Sequence, residues 1–342
     1  MDSTLVPGRR SFIARSVGVA AAVAGSALPI RFAHAAEFNF KLATTIPPEH
    51  PLNAHARNAA AAITEQTSGR VAIEVFPGYV LGSSTSALGL LRGGGIQMLT
   101  LSGSVLSTLV PAATIYNIAF AFKDYDQVWA AMDGALGDHV RAKVAAIGLQ
   151  PVGKHWDLGF RHITTASKPI KTPEDLRDLK IRVPVAPLFV SCFKALGAAP
   201  TPINFDEVYS SLQTKLIDGQ ENDVIVTETA KLYEVQKYYA LTGHIWDGYF
   251  TLVNGRSWQG LPEPLRQIVS KNFADAAVKE REEIRSRSDE VRKRLQAKGM
   301  VFNEVDRESF RNVLRKAGFY TEWKEKFGAE TWAALEKATG PL

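Results

Sequence analysis

Thr172-Pro-Glu-Asp-Leu-Arg-Asp-Leu-Lys-Ile-Arg-Val-Pro184 decides the fold class. Thr172 offers an N-cap hydroxyl, Pro173 suits a first helical turn and Asp175 supplies the acid of a capping box, so a helix is expected to start there. The run from Lys180 to Val183 reads as a short buried strand that Pro184 ends. A helix over Ala186 to Leu196 with Gly197 as its stop, a strand over Pro200 to Ile203 and a helix capped by Asp206 continue the alternation. Strands alternating with helices call for a mainly parallel sheet with helices on its faces.

The same rhythm occurs nearer the N-terminus. Phe38, Phe40 and Leu42 alternate as a strand, Pro51 to Thr67 reads as a helix ending at Gly69, and Val71, Ile73 and Val75 alternate again. A helix over Ser84 to Leu91 stops at Gly93-Gly-Gly95, Ile96 to Leu101 forms a buried strand, and strand-like Pro151 to His155 opens the second set. Two similar α/β lobes are the economical expectation. From Pro262 to Lys298, Leu265, Val269, Phe273, Ala276, Ile284, Val291 and Leu295 recur near helical spacing, which makes a rod of about 55 Å at 1.5 Å per residue. Such a rod is expected to run along both lobes, with Glu280-Arg-Glu-Glu283 and Arg292-Lys-Arg294 on a solvated face. A coiled-coil oligomer is the competing reading, and the lapse of the apolar stripe around Glu280 to Glu283 counts against it.

Arg9-Arg10, the Ala/Val/Gly-rich run from Val17 to Leu28 and Ala33-His34-Ala35 read as a twin-arginine export signal over residues 1–35. The apolar run falls short of the roughly 20 residues a membrane span needs, so a soluble periplasmic protein is expected after removal of the signal. Roughly 300 residues then remain, enough for two domains. The formal net charge is +5, but Arg9, Arg10, Arg15 and Arg31 lie in the signal against a single acid, Asp2. The exported chain is therefore close to neutral, which gives no reason to expect nucleic-acid binding.

Enzymatic constellations do not assemble in the sequence. His50 and His55 are five apart around Pro51 rather than at the i, i+4 spacing of a helical zinc pair, and Gly93-Gly-Gly95 lacks the lysine and hydroxyl of a phosphate loop. Neither a Gly-x-Ser-x-Gly elbow nor a Cys-x-x-Cys pair is present, and the single Cys192 lies in an apolar helical run that suits a buried, inert thiol. No catalytic residue, cofactor or metal is expected.

Gly159-Phe-Arg161, Pro173-Glu-Asp-Leu176, Lys180-Ile-Arg-Val-Pro184, Phe205-Asp-Glu-Val-Tyr209 and Asp218-Gly-Gln-Glu-Asn222 together resemble the solute-binding proteins of TRAP transporters of the DctP type, the tripartite ATP-independent periplasmic systems. The resemblance implies a periplasmic-binding-protein-like α/β fold: two lobes, a ligand cleft between them and a long helix spanning both. Lobe I is expected over 36–157 and 249–285, lobe II over 158–248 and 286–342. By the same resemblance Arg182 clamps a carboxylate, a match for the planar guanidinium fork. Arg161 supports it or reaches the next oxygen, Asn222 adds amide hydrogen bonds and Phe205 packs on the carbon skeleton. Ser84 and Ser102, with Ser83 and Ser104, stand on pocket-facing loops of the first lobe; Trp246 and Trp156 lie on lobe-crossing segments, where each either lines the cleft or packs at the hinge. Asp223, Lys215 and Ala119-Phe-Ala121 depart from the family's usual proline, glycine and proline-phenylalanine.

The implied function is a monomeric periplasmic receptor that passes a small organic acid to one small and one large integral membrane subunit without ATP. Two alternatives stand beside it: a receptor of the same fold serving an ABC importer or a sensor kinase, and an exported enzyme acting on a small acid.

Overall fold

The computed structural model describes residues 36–342, so the expected export segment lies outside it. Nine strands are present among the described residues: β1 (Phe38–Thr44), β2 (Val71–Phe76), β3 (Met98–Ser102), β4 (Leu149–Thr165), β5 (Lys180–Val183), β6 (Ala199–Pro202), β7 (Gly219–Asn222), β8 (Tyr238–Asn254) and β9 (Val301–Glu304). They form one sheet in the order β2-β1-β3-β8-β4-β7-β5-β6, with β9 added to β8. The triplets β2-β1-β3 and β7-β5-β6 are parallel, as the α/β alternation predicts. Each triplet belongs to one lobe. The 17-residue strands β4 and β8 pair antiparallel between them and join the triplets into a single mixed sheet.

Periodicity announced only the first part of β4; crossings at Trp156 and Trp246 were expected from the resemblance, without bounds for either strand. Polar residues interrupt both: Lys154, Asp157, Arg161 and His162 in β4, Thr242, His244 and Asp247 in β8. Their alternation is also broken by register shifts between Val152 and Trp156, Asp157 and Gly159, and Arg161 and Ile163. Such bulges add twist and re-aim side chains. Gly153 sits at the first of them with φ +67, and a Cβ there would come within 2.8 Å of the Ala274 backbone nitrogen. Glycine is what lets the long helix Glu263–Ala297 lie directly on β4.

That helix has 35 residues, roughly 52 Å at 1.5 Å per residue. Its first half buries Leu265, Val269, Phe273 and Ala277 against Leu52, Ala56 and Ile63 of the helix Pro51–Gln66; its second half buries Ile284, Val291 and Leu295 with Ile225, Tyr239 and Met300. Each such aliphatic burial stabilises by about 1.5–3 kcal/mol. Only half of the solvated face expected at the centre is there: Glu282 is exposed and Glu283 half-buried, but Glu280 and Arg281 turn inward. Glu280 is 0% exposed and accepts the Asp157 N–H at 2.9 Å. Arg281, 8% exposed, donates to His155 O at 2.8 Å and to both Asp133 oxygens at 2.9 and 3.0 Å, 3.8 Å over the Trp129 ring. The apolar stripe lapses because the bulged crossing leaves backbone donors and acceptors that a charged pair of residues satisfies and leucines would not.

Two local expectations change. Thr172 starts only a 3-10 turn, Pro173–Leu176, held by Asp175 accepting from Lys171 N and Thr172 N at 2.8 and 3.0 Å. The chain must enter β5 four residues later, which leaves no room for an α-helix. Asp206 lies inside the 3-10 turn Phe205–Glu207, with Asn204 in the capping position, before the helix Val208–Gln213. The lobe boundaries expected at 157/158 and 248/249 fall within β4 and β8, and that at 285/286 within the long helix. The C-terminal helix Phe319–Thr339 packs on the helices Tyr125–Met132 and Ala135–Ala145 and also on Pro187–Ala195. Cys192 is fully buried, and burial pushes its thiol pKa up, as an inert packing role requires.

Candidate ligand-binding site

Parallel strands leave open ground at their carboxyl ends, where loops diverge. A narrow cavity lies there, with about 30 Å³ open to the centres of water-sized molecules, room for a water or two rather than an open ligand pocket. The segments after β2 and β3 contribute Tyr79, Ser84 and Ser104, and β3 itself ends in Ser102; the crossing strands contribute Leu158, Arg161, Asp247 and Tyr249; the ends of β5, β6 and β7 contribute Arg182, Pro184, Asn204, Phe205 and Asn222. The lobes touch across it: the Tyr79 and Phe205 rings stack at 6.3 Å, and Asn204 Nδ2 donates to Thr85 Oγ1 at 3.2 Å.

Arg182 is 3% exposed. Its Nε donates to Ile203 O at 2.8 Å and its guanidinium carbon lies 5.4 Å from the Phe205 ring centre. Its two terminal nitrogens make no hydrogen bond to the other described residues, and no carboxylate there forms an ion pair with it. Burial, helped by the neighbouring Arg161 charge, lowers its pKa to about 10, so it remains cationic at neutral pH.

Arg161 is in the opposite condition. Its Nε and Nη2 grip Glu221 at 2.5 and 2.8 Å, Nη2 also reaches Glu221 O at 2.7 Å, and Nη1 reaches Asp247 at 3.0 Å. Burial opposes its charge, but Glu221 and Asp247 outweigh that and raise its pKa. His244 Nε2 lies 3.2 Å from Glu221 and its Nδ1 2.8 Å from Thr242 Oγ1; burial lowers its pKa, so the neutral ring donates to Glu221 and accepts from Thr242. Asp247 also accepts from Ser102 Oγ at 2.9 Å, Asn117 Nδ2 at 3.1 Å and Gly248 N at 2.9 Å, with its pKa raised by burial.

Ser102 therefore spends its proton on Asp247, whereas Ser84 Oγ has no partner among the described residues. Asn222 holds only a long contact to Gln220 at 3.4 Å and keeps its amide toward the cavity. Trp246 is not brought to the site. It is 1% exposed, donates to Asp157 at 2.9 Å and packs among Tyr116, Phe122 and Trp129. Successive strand residues face opposite sides, so Asp247 facing the cavity turns Trp246 away. Trp156 is likewise buried, against Phe273, with its N–H on Thr251 Oγ1 at 2.7 Å.

Tyr79, Asn204 and Asp247 are site residues that sequence reasoning missed. The turn at Pro77-Gly78 was the available signal for Tyr79, whose φ of +66 is uncommon for a bulky residue. Tyr79 Oη and Asn204 Oδ1 are buried without a hydrogen-bond partner.

At the lobe crossing lie three more buried acids. Asp157 Oδ1 accepts from Trp246 Nε1 and from Gly159 N at 2.8 Å, and Asp223 Oδ1 caps the helix Val224–Thr229 through Ile225 N and Val226 N at 2.7 and 2.9 Å. Each of Asp157, Asp223 and Glu280 keeps one oxygen without a partner. Burial raises Asp157 and Asp223 to about 7 and Glu280 well above the usual carboxylate range.

The sequence pattern of DctP, bacterial extracellular solute-binding protein family 7, matches residues 42–324. The chain is 30% identical over 253 residues to the 2,3-diketo-L-gulonate-binding periplasmic protein YiaO of Escherichia coli, covering 74% of this chain and 77% of that one. It is also 30% identical over 304 residues to the C4-dicarboxylate-binding periplasmic protein DctP of Rhodobacter capsulatus, covering 87% and 90%. The crystal structure of a TRAP periplasmic solute-binding protein from a Polaromonas species, bound to D-erythronate, matches with a TM-score of 0.84 at 29% identity, over 89% of this chain and 100% of that one.

Proposed function

The chain belongs to family 7 of the bacterial extracellular solute-binding proteins, and from that premise we propose that it is the periplasmic receptor of a TRAP transporter, holding a small organic acid by its carboxylate and delivering it to the small and large membrane subunits. The observation that carries this reading is Arg182: a buried guanidinium with two unused donor groups facing a cavity. Leaving a buried charge unpaired costs several kcal/mol, and a ligand carboxylate that accepts two parallel hydrogen bonds offsets it. Phe205 supplies the apolar wall beside the carboxylate, Asn222 and Ser84 offer neutral hydrogen bonds, and Arg161 holds the floor through Glu221 and Asp247.

Binding without turnover belongs to the same proposal and is supported by the solute-binding family to which the chain belongs. The lobes, 36–157 with 249–285 and 158–248 with 286–342, rotate about the shifts of register in β4 and β8 and the middle of the long helix. A ligand that touches both walls favours closure because only the closed state gives it both. The twin-arginine segment carries the folded monomer to the periplasm.

Isothermal titration calorimetry tests the clamp. An acid that binds the native protein should show no measurable binding to Arg182→Ala while the variant keeps its circular dichroism and thermal transition. Affinity retained by the folded variant overturns the assignment, and an acid recovered chemically altered after incubation overturns the receptor reading in favour of an enzyme.

A further inference from the structure

The charges around the cavity discriminate between kinds of acid, a step that rests on the receptor reading above. Arg182 and Arg161 are the cations at its wall, Asp247 and the adjoining Glu221 the anions. Both anions are already bound to Arg161, and both sit at 0–1% side-chain exposure. Of these two cations, Arg182 alone has donors without a partner among the described residues. A second carboxylate on the ligand finds no free cation in the cavity and meets Asp247, whose two oxygens are occupied by Arg161, Ser102, Asn117 and Gly248 N.

The rest of the polar lining is neutral. Ser84, Asn222, Tyr79 and Asn204 line the cavity, and Tyr79 Oη and Asn204 Oδ1 are buried with no partner. A phenol hydroxyl and an amide oxygen without protein partners beside the cavity suit neutral ligand oxygens: a keto or hydroxyl oxygen accepts from the phenol, and a hydroxyl also donates to the amide oxygen. A ligand hydroxyl does both; a carboxylate accepts only and brings a charge.

We propose that the ligand is a monocarboxylate whose remaining polar groups are neutral oxygens, hydroxyl or keto, and that Asp247, by occupying Arg161 and by its own charge, makes the cavity reject dicarboxylates. Asp247 is thus a specificity-determining residue that acts through Arg161.

Calorimetry of the purified protein with pairs of acids that differ only at the far end tests this: 2-hydroxybutanoate with malate, 2-oxopentanoate with 2-oxoglutarate, erythronate with meso-tartrate, and galactonate with galactarate. In every pair that binds, the monocarboxylate should be at least a hundredfold tighter, equivalent to about 2.7 kcal/mol. A dicarboxylate within a hundredfold of its partner overturns the inference and leaves the receptor reading standing, whereas no binding by any member of any pair overturns the receptor reading and this inference together. Asp247→Asn frees one Arg161 donor and removes the like charge, so it should narrow the gap at least tenfold. An unchanged gap in the folded variant removes Asp247 from the specificity role, and the unsubstituted protein still decides the ligand class if that variant does not fold.

Discussion

Arg161 and Arg182 are equally buried, and their partners make them opposites. Replacing Arg161 by methionine strands Glu221 without its cation and removes a ligand from Asp247, an unpaired-charge penalty of about 3–5 kcal/mol. Arg182→Met deletes a charge that has no ion-pair partner, so stability should hold level or rise while acid binding disappears. Urea unfolding of the two variants at pH 7 checks the contrast: equal losses of stability mean that Arg182 is a structural arginine after all. Arg182 was legible from its motif, on a short strand ended by proline. The pairing of Arg161 was not, because Glu221 and Asp247 are 60 and 86 positions away in the chain. Trp246 failed for a related reason: period-two alternation separates it from Asp247, but only the register of β8 on β4 says which of them faces the cavity.

At the scale of elements, the long helix and the crossing strands depend on each other. Helical spacing in Leu265, Val269 and Phe273 made the helix readable, yet its buried centre of Glu280 and Arg281 answers to a bulge in β4 that no local pattern announces. Gly153 is the tightest point of that contact. Gly153→Ala should cost about 1–3 kcal/mol for the positive φ alone, with the clash against Ala274 N in addition. Thermal unfolding measures it, and a variant with unchanged stability would mean the helix is free to move off the strand. The 3-10 turn at Pro173–Leu176 makes the complementary point: capping residues were read correctly, and the short distance to β5 decided how much helix followed.

For the whole molecule, the acids buried at the lobe crossing link stability to pH. Asp157 and Asp223 titrate near 7 when folded, against 3.8 for an unperturbed aspartate, because burial disfavours their charge; Glu280 shifts the same way, while Trp246, Gly159 and Arg281 act on Asp157 in the opposite sense. These three acids thus hold more protons in the folded state than in the unfolded chain above about pH 4, so their contribution to stability falls as pH rises through about 7. Burial lowers the pKa of His50, His155, His162 and His244, whose contribution rises instead with pH up to about 6.5. The two sets oppose each other between pH 5 and pH 8, so the share of one acid is read from the thermal unfolding of a variant relative to the native protein across that range. Asp157→Asn, which keeps the acceptor for the Trp246 N–H, should gain in midpoint on the native protein from pH 5 to pH 8; an unaltered difference means that Asp157 makes no pH-dependent contribution.

What the sequence by itself determined was local or repetitive: the α/β alternation of each lobe, the long helix, the buried thiol and the strand-end arginine. These follow from periodicity, capping chemistry and the fixed geometry of the guanidinium, all of which act over a few residues. Tertiary structure alone decided which arginine is paired, which face of β8 meets the cavity, why charged residues sit at the centre of the long helix, and that Tyr79 meets Phe205 and Asn204 meets Thr85 across the lobes. Those outcomes depend on strand register and on contacts between segments tens to hundreds of residues apart, where the free energy lies in desolvating one group against a distant partner and leaves no mark on its neighbours in the chain.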